Sequence, residues 1–285
     1  MPQEPIGLIG AGLLGSALAE RFVGAGYRVL GFDSAPERRA ALRESGGEPA
    51  ACAGDVAASS RCVVLSLPHS GIVSSVLDEI VPRLPRDALV VDTTTGDPVQ
   101  SVGFHQRLEA AGAHYLEAAV GGSSRQVRAC EAIVIAGGRL EDFDSCADLF
   151  ACFATRTFHA GPSGHGARMK LVLNLVLGLN RAVLAEGLAF AEAYGLRPAE
   201  ALEILKAGPA YSRVMDTKGA KMLARDFTPE ARLSQHLKDV RLILAAGGGC
   251  GARLPLSTLH AELLAALESE GMGGLDNSAV LKYFL

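Results

Sequence analysis

Residues 6–15 read Ile-Gly-Leu-Ile-Gly-Ala-Gly-Leu-Leu-Gly. The apolar run Ile6–Ile9 leads directly into glycines with the spacing G-x-G-x-x-G, and a helical pattern covers residues 15–25. An apolar run of this length is typical of a strand that is buried on both faces. The stretch therefore predicts a strand, a tight turn and a helix, the first unit of a parallel α/β sheet.

Each glycine of this turn has a physical reason to be there. Gly10 makes the tight turn, Gly12 lets a ligand approach the backbone, and Gly15 permits close contact between helix and strand. The unpaired N–H groups at the start of the helix favour a pyrophosphate. We therefore expect a dinucleotide to bind at six residues: Gly10, Ala11, Gly12, Leu13, Leu14 and Gly15. The alternative is a glycine-rich turn that binds nothing.

Asp33 ends the second predicted strand, where a carboxylate can accept hydrogen bonds from the ribose hydroxyls of an adenosine. A 2′-phosphate at this place would meet a like charge, and the next residue is Ser34 rather than an arginine. The sequence thus predicts NAD as the preferred cofactor. NADP stays possible because Arg38 and Arg39 follow closely, although residues that begin a helix normally point to solvent.

Short apolar runs alternate with helical patterns through the first half of the chain, which predicts a doubly wound parallel sheet of the Rossmann type over residues 1–161. The strands are expected at 6–9, 27–32, 62–67, 88–91, 114–116 and 132–136. After Gly161 the pattern becomes helical, and one long helix is expected from about Ser163 to Tyr194. Residues 162–285 are therefore predicted to form an all-α domain, with Gly247–Gly251 as a helix end and loop.

The composition excludes several classes of protein. The 285 residues carry a net charge of −4 without a block of Lys and Arg, so nucleic acid is not an expected partner. No charge-free apolar run approaches 18 residues, and the six cysteines have no C-x-x-C spacing, so we expect a cytoplasmic protein without a membrane segment or disulfides. There is no H-E-x-x-H for zinc and no G-x-S-x-G for a serine hydrolase. No metal is expected.

The candidate reaction centre lies at the start of the long helix. Lys170 and Asn174 are four residues apart and share one helix face, and the residues around them are mostly apolar. Burial disfavours a charged ammonium, which suits a lysine to act as general acid or base. A lysine whose stem reaches to water is the alternative that the helical pattern alone would favour.

The chain resembles the β-hydroxyacid dehydrogenases, a family that includes 3-hydroxyisobutyrate dehydrogenase, tartronate semialdehyde reductase and the glyoxylate/succinic semialdehyde reductases. The resemblance covers nearly the whole length. The blocks that carry it are residues 6–33, Asp92-Thr93-Thr94-Thr95-Gly96-Asp97-Pro98, the segment 164–174 and Lys238-Asp239-Val240-Arg241-Leu242. The family's helical domain is of the 6-phosphogluconate dehydrogenase type, but such an enzyme itself needs a longer one, and imine reductases usually lack a lysine at the position of Lys170.

The resemblance implies a role for several residues. Lys170 would be the catalytic acid and base, and Asn174 would bind the substrate. Leu67, Pro68 and Thr95 would line the nicotinamide side of the cofactor site, and Lys238 would close it from the helical domain. Without the family, Thr95 would be interpreted as a turn residue and Lys238 as a solvated lysine.

One block departs from the family pattern. The family usually has Asp-Ala-Pro-Val-Ser-Gly-Gly, whose serine and backbone hold the substrate carboxylate, whereas this chain has Glu117-Ala118-Ala119-Val120-Gly121-Gly122-Ser123. Gly121 stands in place of the serine and enlarges the pocket. Substrate binding is still expected at Gly121, Gly122 and Ser123, with Ser123 or Ser124 as the source of a hydroxyl.

These observations predict an NAD(P)-dependent enzyme that interconverts a small 3-hydroxy acid and its semialdehyde. Glyoxylate, succinic semialdehyde or tartronate semialdehyde are alternative substrates, and a non-catalytic dinucleotide-binding scaffold is the alternative from another class. The apolar helices exceed what one helical domain can cover, so a homodimer or homotetramer is expected.

Overall fold

A computed structural model describes residues 4–285. These residues form two compact units, which divide between Lys170 and Leu171. The first unit is an α/β unit and the second is helical, so the predicted fold class is confirmed. The contacts divide the chain inside the long helix, whereas the sequence pattern places the boundary at residue 161, before that helix begins.

The first unit is built on one sheet of eight strands in the order β3-β2-β1-β4-β5-β6-β7-β8. The order runs outward in both directions from β1, which is the Rossmann arrangement. The strands are β1 (Ile6–Ile9), β2 (Val29–Phe32), β3 (Glu48–Pro49), β4 (Cys62–Leu65), β5 (Leu89–Asp92), β6 (His114–Gly121), β7 (Ala132–Gly137) and β8 (Ala154–His159).

The sheet is parallel except at one pair. β6 and β7 are antiparallel, with Val120 opposite Val134, which the prediction of a parallel sheet did not include. Only residues 122–131 join the two strands. A parallel crossover needs a dozen residues or more, so this short connection forces the chain to turn back.

Helices cover both faces of this sheet, and two of them begin at a proline. Pro36 and Pro98 occupy first-turn positions, where a missing N–H costs nothing, and Asp97 caps its helix by accepting a hydrogen bond from Val99 N at 2.8 Å. The helices before the long one are α1 (Leu13–Gly24), α2 (Pro36–Glu44), α3 (Ala53–Ser59), α4 (Ser70–Ile80), α5 (Pro98–Ala110), α6 (Ser124–Arg128), α7 (Leu140–Ser145) and α8 (Ala147–Ala151), with a 3₁₀ turn at Val81–Arg83.

Two apolar clusters form the core of this unit. Alternate strand residues point to opposite sides of the sheet, so Leu8 and Val64 belong to one cluster while Ile9 and Val63 belong to the other. The first cluster packs on α1 and the second on α3, α4 and α5. Burial on both faces explains why the strands are continuous apolar runs in the sequence.

The helical unit consists of most of α9 (His165–Ala193) and the helices that follow it. These are α10 (Pro198–Ala207), α11 (Arg213–Ala224), α12 (Leu233–Cys250) and α13 (Pro255–Ser269), followed by 3₁₀ turns at Met272–Gly274 and Asn277–Phe284. α12 continues through Gly247, Gly248 and Gly249 and ends at Gly251, whose φ of 74° is left-handed. The predicted helix end at residues 247–251 is thus confirmed, but the glycines 247–249 belong to the last turns of α12 rather than to a loop.

The long helix α9 has an unusual distribution of side chains. Its polar residues Lys170, Asn174 and Arg181 are buried, whereas Val172, Val183 and Phe190 are exposed. Within the described residues, α9 is also the helix whose length and apolar composition would permit it to cross a membrane. This is weak evidence, because 44% of its most apolar window is buried in the protein and core helices of soluble proteins meet the same criteria.

Candidate active site

The turn between β1 and α1 requires its glycines. Gly10 has φ of +96°, and a Cβ there would collide with the carbonyl oxygen of Ser66. A Cβ on Gly15 would collide with the carbonyl oxygen of Gly10. α1 begins at Leu13, two positions before the glycine at which the sequence pattern begins it. Leu13 and Leu14 therefore belong to its first turn.

The space above Gly12 is open. A Cβ on Gly12 would find one atom within 4 Å, Nη1 of Arg38 at 3.9 Å. A ligand can approach the backbone there, directly at the N-terminus of α1, where N–H groups have no partner within the helix. The turn thus fits the pyrophosphate of a dinucleotide.

Asp33 follows β2 and is buried. Its carboxylate accepts hydrogen bonds from Ala11 N at 2.8 Å and from Ala35 N at 2.9 Å, so it holds the two turns together. Arg38 Nη1 lies 3.4 Å from the same carboxylate. Besides any contact with a ribose, Asp33 therefore orders the backbone around Gly10–Gly15.

Both nearby arginines fold back toward this turn rather than pointing to solvent. Arg39 Nη1 donates to the carbonyl oxygens of Asp33, at 2.6 Å, and Ser34, at 3.1 Å, and its guanidinium lies over the Phe32 ring. These contacts hold the Arg39 side chain at the turn between β2 and α2. Arg38 is half exposed and is the side chain nearest to the open space above Gly12.

The loops after β4 and β5 lie beside this turn, because β1, β4, β5 and β6 are parallel neighbours and their carboxyl ends share one sheet edge. Leu67 N donates to Thr94 Oγ1 at 3.1 Å, which ties the two loops together. Leu67 and Thr95 are partly buried and Pro68 is exposed. The carboxyl edge of a doubly wound sheet is where such folds bind ligands.

A buried carboxylate supports the loop that contains Thr95. Asp92 Oδ1 accepts a hydrogen bond from Thr94 N at 2.9 Å, and Asp92 Oδ2 accepts one from Tyr115 Oη at 2.8 Å. Burial raises the pKa of Asp92 to about 6, against the opposing effect of these hydrogen bonds. The sequence analysis assigned no role to Asp92, although a charged residue at the end of an apolar strand was a signal that could have revealed it.

Lys170 lies in the second turn of α9 with a buried side chain. Its Nζ donates to the carbonyl oxygen of Val120 at 2.7 Å. Val120 is on β6 and immediately precedes Gly121 and Gly122. The structure thus brings the predicted proton donor and the start of the predicted carboxylate-binding segment together.

The segment after β6 is organised as a helix cap. Ser123 Oγ accepts a hydrogen bond from Gln126 N at 3.4 Å, and Ser123 N donates to Gln126 Oε1 at 3.0 Å. This reciprocal pair is a capping box for α6. The hydroxyl and backbone N–H of Ser123, which the sequence analysis assigned to the substrate carboxylate, are here engaged by Gln126, and Ser124 is buried.

Two further predicted residues, Asn174 and Lys238, lie in the helical unit. Asn174 Nδ2 donates to Asp239 Oδ2 at 2.9 Å, and both side chains are buried. Lys238 Nζ lies 2.7 Å from Asp239 Oδ1. Asp239 thus links the two predicted residues Asn174 and Lys238. The sequence analysis had quoted Asp239 only as part of a motif.

Residues 4–285 contain no group of three or more His, Cys, Asp and Glu side chains that could hold a metal ion.

Comparison with known proteins gives a consistent result. A family model for the NAD binding domain of 6-phosphogluconate dehydrogenase matches residues 5–161, and one for the NAD-binding of NADP-dependent 3-hydroxyisobutyrate dehydrogenase matches residues 164–284. The chain is 28% identical over 281 residues to 2-(hydroxymethyl)glutarate dehydrogenase of Eubacterium barkeri, which covers 97% of this chain and 93% of that protein. It is 26% identical over 283 residues to glyoxylate/succinic semialdehyde reductase 1 of Arabidopsis thaliana, with 97% of both chains covered.

A solved structure shares the fold. Mycobacterium tuberculosis 3-hydroxyisobutyrate dehydrogenase, determined with L-serine, matches with a TM-score of 0.88 at 24% identity over 98% of each chain. The fold and the dinucleotide turn define an NAD(P)-dependent oxidoreductase with a Rossmann unit and a helical unit. Within that class, the chain belongs to the 3-hydroxyisobutyrate dehydrogenase family, as its resemblance to the β-hydroxyacid dehydrogenases predicted.

Proposed function

We propose that this enzyme interconverts a small 3-hydroxy acid and its semialdehyde, with Lys170 as general acid and base. The observation that carries the proposal is the buried ammonium of Lys170, held 2.7 Å from Val120 O directly before the glycine segment 121–122. Relatives named for hydroxy acids and semialdehydes along nearly the whole chain support it.

The chemistry needs both a hydride and a proton. When bound, NAD(H) supplies or accepts the hydride. During reduction, negative charge develops on the carbonyl oxygen of the substrate, and the ammonium of Lys170 stabilises this charge and donates the proton. During oxidation the amine takes the proton back. Val120 O orients the ammonium because it accepts one of its hydrogens.

Asn174 is one helical turn beyond Lys170 on the same face of α9. We assign it to orienting the reacting oxygen or the carboxylate of the substrate. Its hydrogen bond to Asp239 fixes which way the amide points, so the amide is ordered before a substrate binds.

We assign Gly121 and Gly122 to the substrate carboxylate, whereas Ser123 would contact it only if its capping hydrogen bonds to Gln126 were exchanged. Gly121 carries no side chain, which favours a substrate with more bulk next to its carboxylate than glyoxylate has. We therefore place a substrate like 3-hydroxyisobutyrate first, with glyoxylate, succinic semialdehyde and tartronate semialdehyde as alternatives. NAD is the proposed preferred cofactor, on the strength of the buried carboxylate of Asp33 beside the turn.

A substrate screen tests this proposal. Methylmalonate semialdehyde, tartronate semialdehyde, succinic semialdehyde and glyoxylate, together with their hydroxy acids, would be assayed with NADH and NADPH or their oxidised forms. We expect the highest kcat/KM with methylmalonate semialdehyde, the semialdehyde of 3-hydroxyisobutyrate, and NADH. No turnover of any of these compounds would contradict the proposed function.

The role of Lys170 is tested by substitution. Lys170→Ala removes the proton donor, so kcat should fall by at least about 100-fold while the affinity for NADH, measured by calorimetry, changes little. Lys170→Arg should not restore activity, because a guanidinium does not release its proton near neutral pH. Lys206→Ala, on the partly exposed side chain of α10, is the control. Turnover of Lys170→Ala near that of the control would show that another group moves the proton.

A further inference from the structure

Glu117 on β6 makes an unusual set of contacts. It is buried, and its carboxylate receives hydrogen bonds from the start of α9. Oε1 accepts from Gly164 N, in a short hydrogen bond, and from Ser163 Oγ at 3.0 Å, and Oε2 accepts from Ala167 N at 2.8 Å. Both oxygens are therefore engaged by one helix terminus.

The start of α9 needs such a partner. The first N–H groups of a helix have no acceptor within the helix, and a side chain at the preceding position usually supplies one. Here that position is Gly164, which has no side chain. Glu117 supplies the acceptors from another element, and its negative charge also complements the positive end of the helix dipole.

The same strand contacts α9 a second time. Glu117 binds Ala167 N, and Val120, three residues further along β6, binds Lys170 Nζ, three residues further along α9. A single contact would leave the helix free to rotate or slide against the strand. Two contacts fix both its rotation and its axial position.

Two glycines allow the helix to come this close. A Cβ on Gly166 would lie 2.7 Å from Gly137 N and 3.0 Å from Glu117 Oε2, and a Cβ on Gly137 would lie 2.5 Å from Gly166 N. These distances are shorter than real Cβ contacts allow. The first turn of α9 therefore packs with its backbone directly on the end of β7.

Burial and hydrogen bonding act in opposite directions on the charge of Glu117. Burial raises the pKa of its carboxyl, and the hydrogen bonds from Gly164, Ala167 and Ser163 oppose this effect. All of these groups are donors. They stabilise a carboxylate, and a protonated carboxyl would lose at least one of them.

We propose that Glu117 is a positioning residue for the reaction, which places the amine of Lys170 by anchoring the first turn of α9 to β6. The proposal rests on the proposed role of Lys170. It assigns no proton transfer to Glu117, which acts through the helix and not on the substrate.

The test compares three substitutions in the full chain. Glu117→Gln keeps the size but replaces one acceptor oxygen by a donor, and Glu117→Asp keeps the charge with a shorter reach. Asp142→Asn is the matched control, because Asp142 is a buried carboxylate of the same unit on α7, facing His114 and Arg139. Each is measured for kcat, for KM of semialdehyde and NADH, and for hydrogen exchange of the amides in segments 163–170 and 6–25.

We expect Glu117→Gln to lower kcat about 10- to 100-fold with less than about a threefold change in the KM for NADH, because a displacement near 1 Å suffices for such a loss. Amides of segment 163–170 should exchange at least about tenfold faster, while segment 6–25 keeps its rate. Glu117→Asp should recover part of both effects. Asp142→Asn should leave the exchange of segment 163–170 as in the wild type.

Two outcomes would overturn the proposal: unchanged exchange in segment 163–170 of Glu117→Gln, or equal losses of kcat in Glu117→Gln and Asp142→Asn. If Glu117→Gln does not fold, Glu117→Asp and Ser163→Ala, which removes one of the donors, decide by the same measurements. Hydrogen exchange is measured without a substrate. A wild-type enzyme that is inactive in the screen would therefore refute the proposed function, while the exchange rates would still show whether Glu117 anchors α9.

Discussion

At the scale of single residues, Asp33 and Arg38 place opposite charges at one end of the dinucleotide turn. A 2′-phosphate beside this turn would meet the negative charge of Asp33 and, 3.4 Å from that carboxylate, the positive charge of the half-exposed Arg38. We expect the balance of these two charges to determine how strictly the enzyme distinguishes NAD from NADP.

We expect the wild type to have a lower KM for NADH than for NADPH. Asp33→Ala should lower the ratio of kcat/KM with NADH to kcat/KM with NADPH about tenfold. The substitution removes an acceptor for the ribose hydroxyls of NADH and also the charge that repels the 2′-phosphate of NADPH. Arg38→Ala should raise the same ratio by about two- to threefold, because it removes a positive charge that attracts the 2′-phosphate and this charge is partly exposed to water. Steady-state kinetics with both cofactors provide the ratios, and Arg43→Ala on the exposed end of α2 is the control. A wild type that prefers NADPH would contradict this prediction.

At the scale of elements, α9 presents an apolar stripe on its exposed side. The stripe consists of Met169, Val172, Val176, Val183, Phe190 and the following Tyr194. Successive members are separated by three, four or seven residues, which keeps them on one face of the helix. An exposed apolar stripe of this length on a helix of 29 residues is typical of an interface with another chain.

We therefore expect a homodimer or homotetramer that buries this stripe of α9. A charge introduced by Val183→Glu together with Phe190→Glu should shift the protein to a monomer at micromolar concentration, because an unpaired charge in an apolar interface is costly. Light scattering coupled to size exclusion gives the mass. Glu192→Ala, also on α9, should leave the mass unchanged. A monomeric wild type would be inconsistent with this interpretation.

The sequence predicts those elements whose side chains have a one-sided or fully buried pattern. β1, β4 and β5 were predicted because both faces are covered, and α9 because its helical spacing is long. β8 was missed, since its residues Thr155–Phe158 are exposed and show no buried run. α11 was missed as well.

Contacts between distant residues could not be predicted in this way. The hydrogen bonds from Glu117 to the start of α9 join residues 47 and 50 positions apart, and nothing local marks Glu117 as a cap. The pairing of Lys170 with Val120 is likewise 50 positions apart. The sequence analysis identified Lys170 through the family pattern, but the groups that hold its amine became visible only in the structure.

At the scale of the whole molecule, the two units should respond to acid in opposite ways. Burial raises the pKa of Asp92 in the α/β unit to about 6, so this group's contribution to stability is full below its unfolded pKa of 3.8 and is lost as the pH rises through 6. In the helical unit, burial lowers the pKa of His260 to about 4, and the charge of Arg181 adds a smaller effect in the same direction. The contribution of His260 to stability is therefore full above its unfolded pKa of 6.5 and is lost as the pH falls toward 4.

Each shift corresponds to roughly 3 kcal/mol of unfolding free energy. As the pH falls from 6.5 to 4.5, we expect the helical unit to lose stability. Over the same range the α/β unit should gain part of the stabilisation that protonated Asp92 provides. Hydrogen exchange of core amides in α12 and in β4, measured in that range, separates the two units. His260→Gln should abolish the loss of amide protection in α12 at low pH. Asp92→Asn should abolish the gain of amide protection in β4. Parallel changes in both units of the wild type would rule out this assignment.

The contact between Gly137 and Gly166 also constrains how this chain can vary. A Cβ at either position meets backbone atoms of the other, and backbone cannot be replaced by a compensating substitution. Any residue larger than glycine at position 137 or 166 would therefore push the first turn of α9 away from the end of β7, and with it the amine of Lys170.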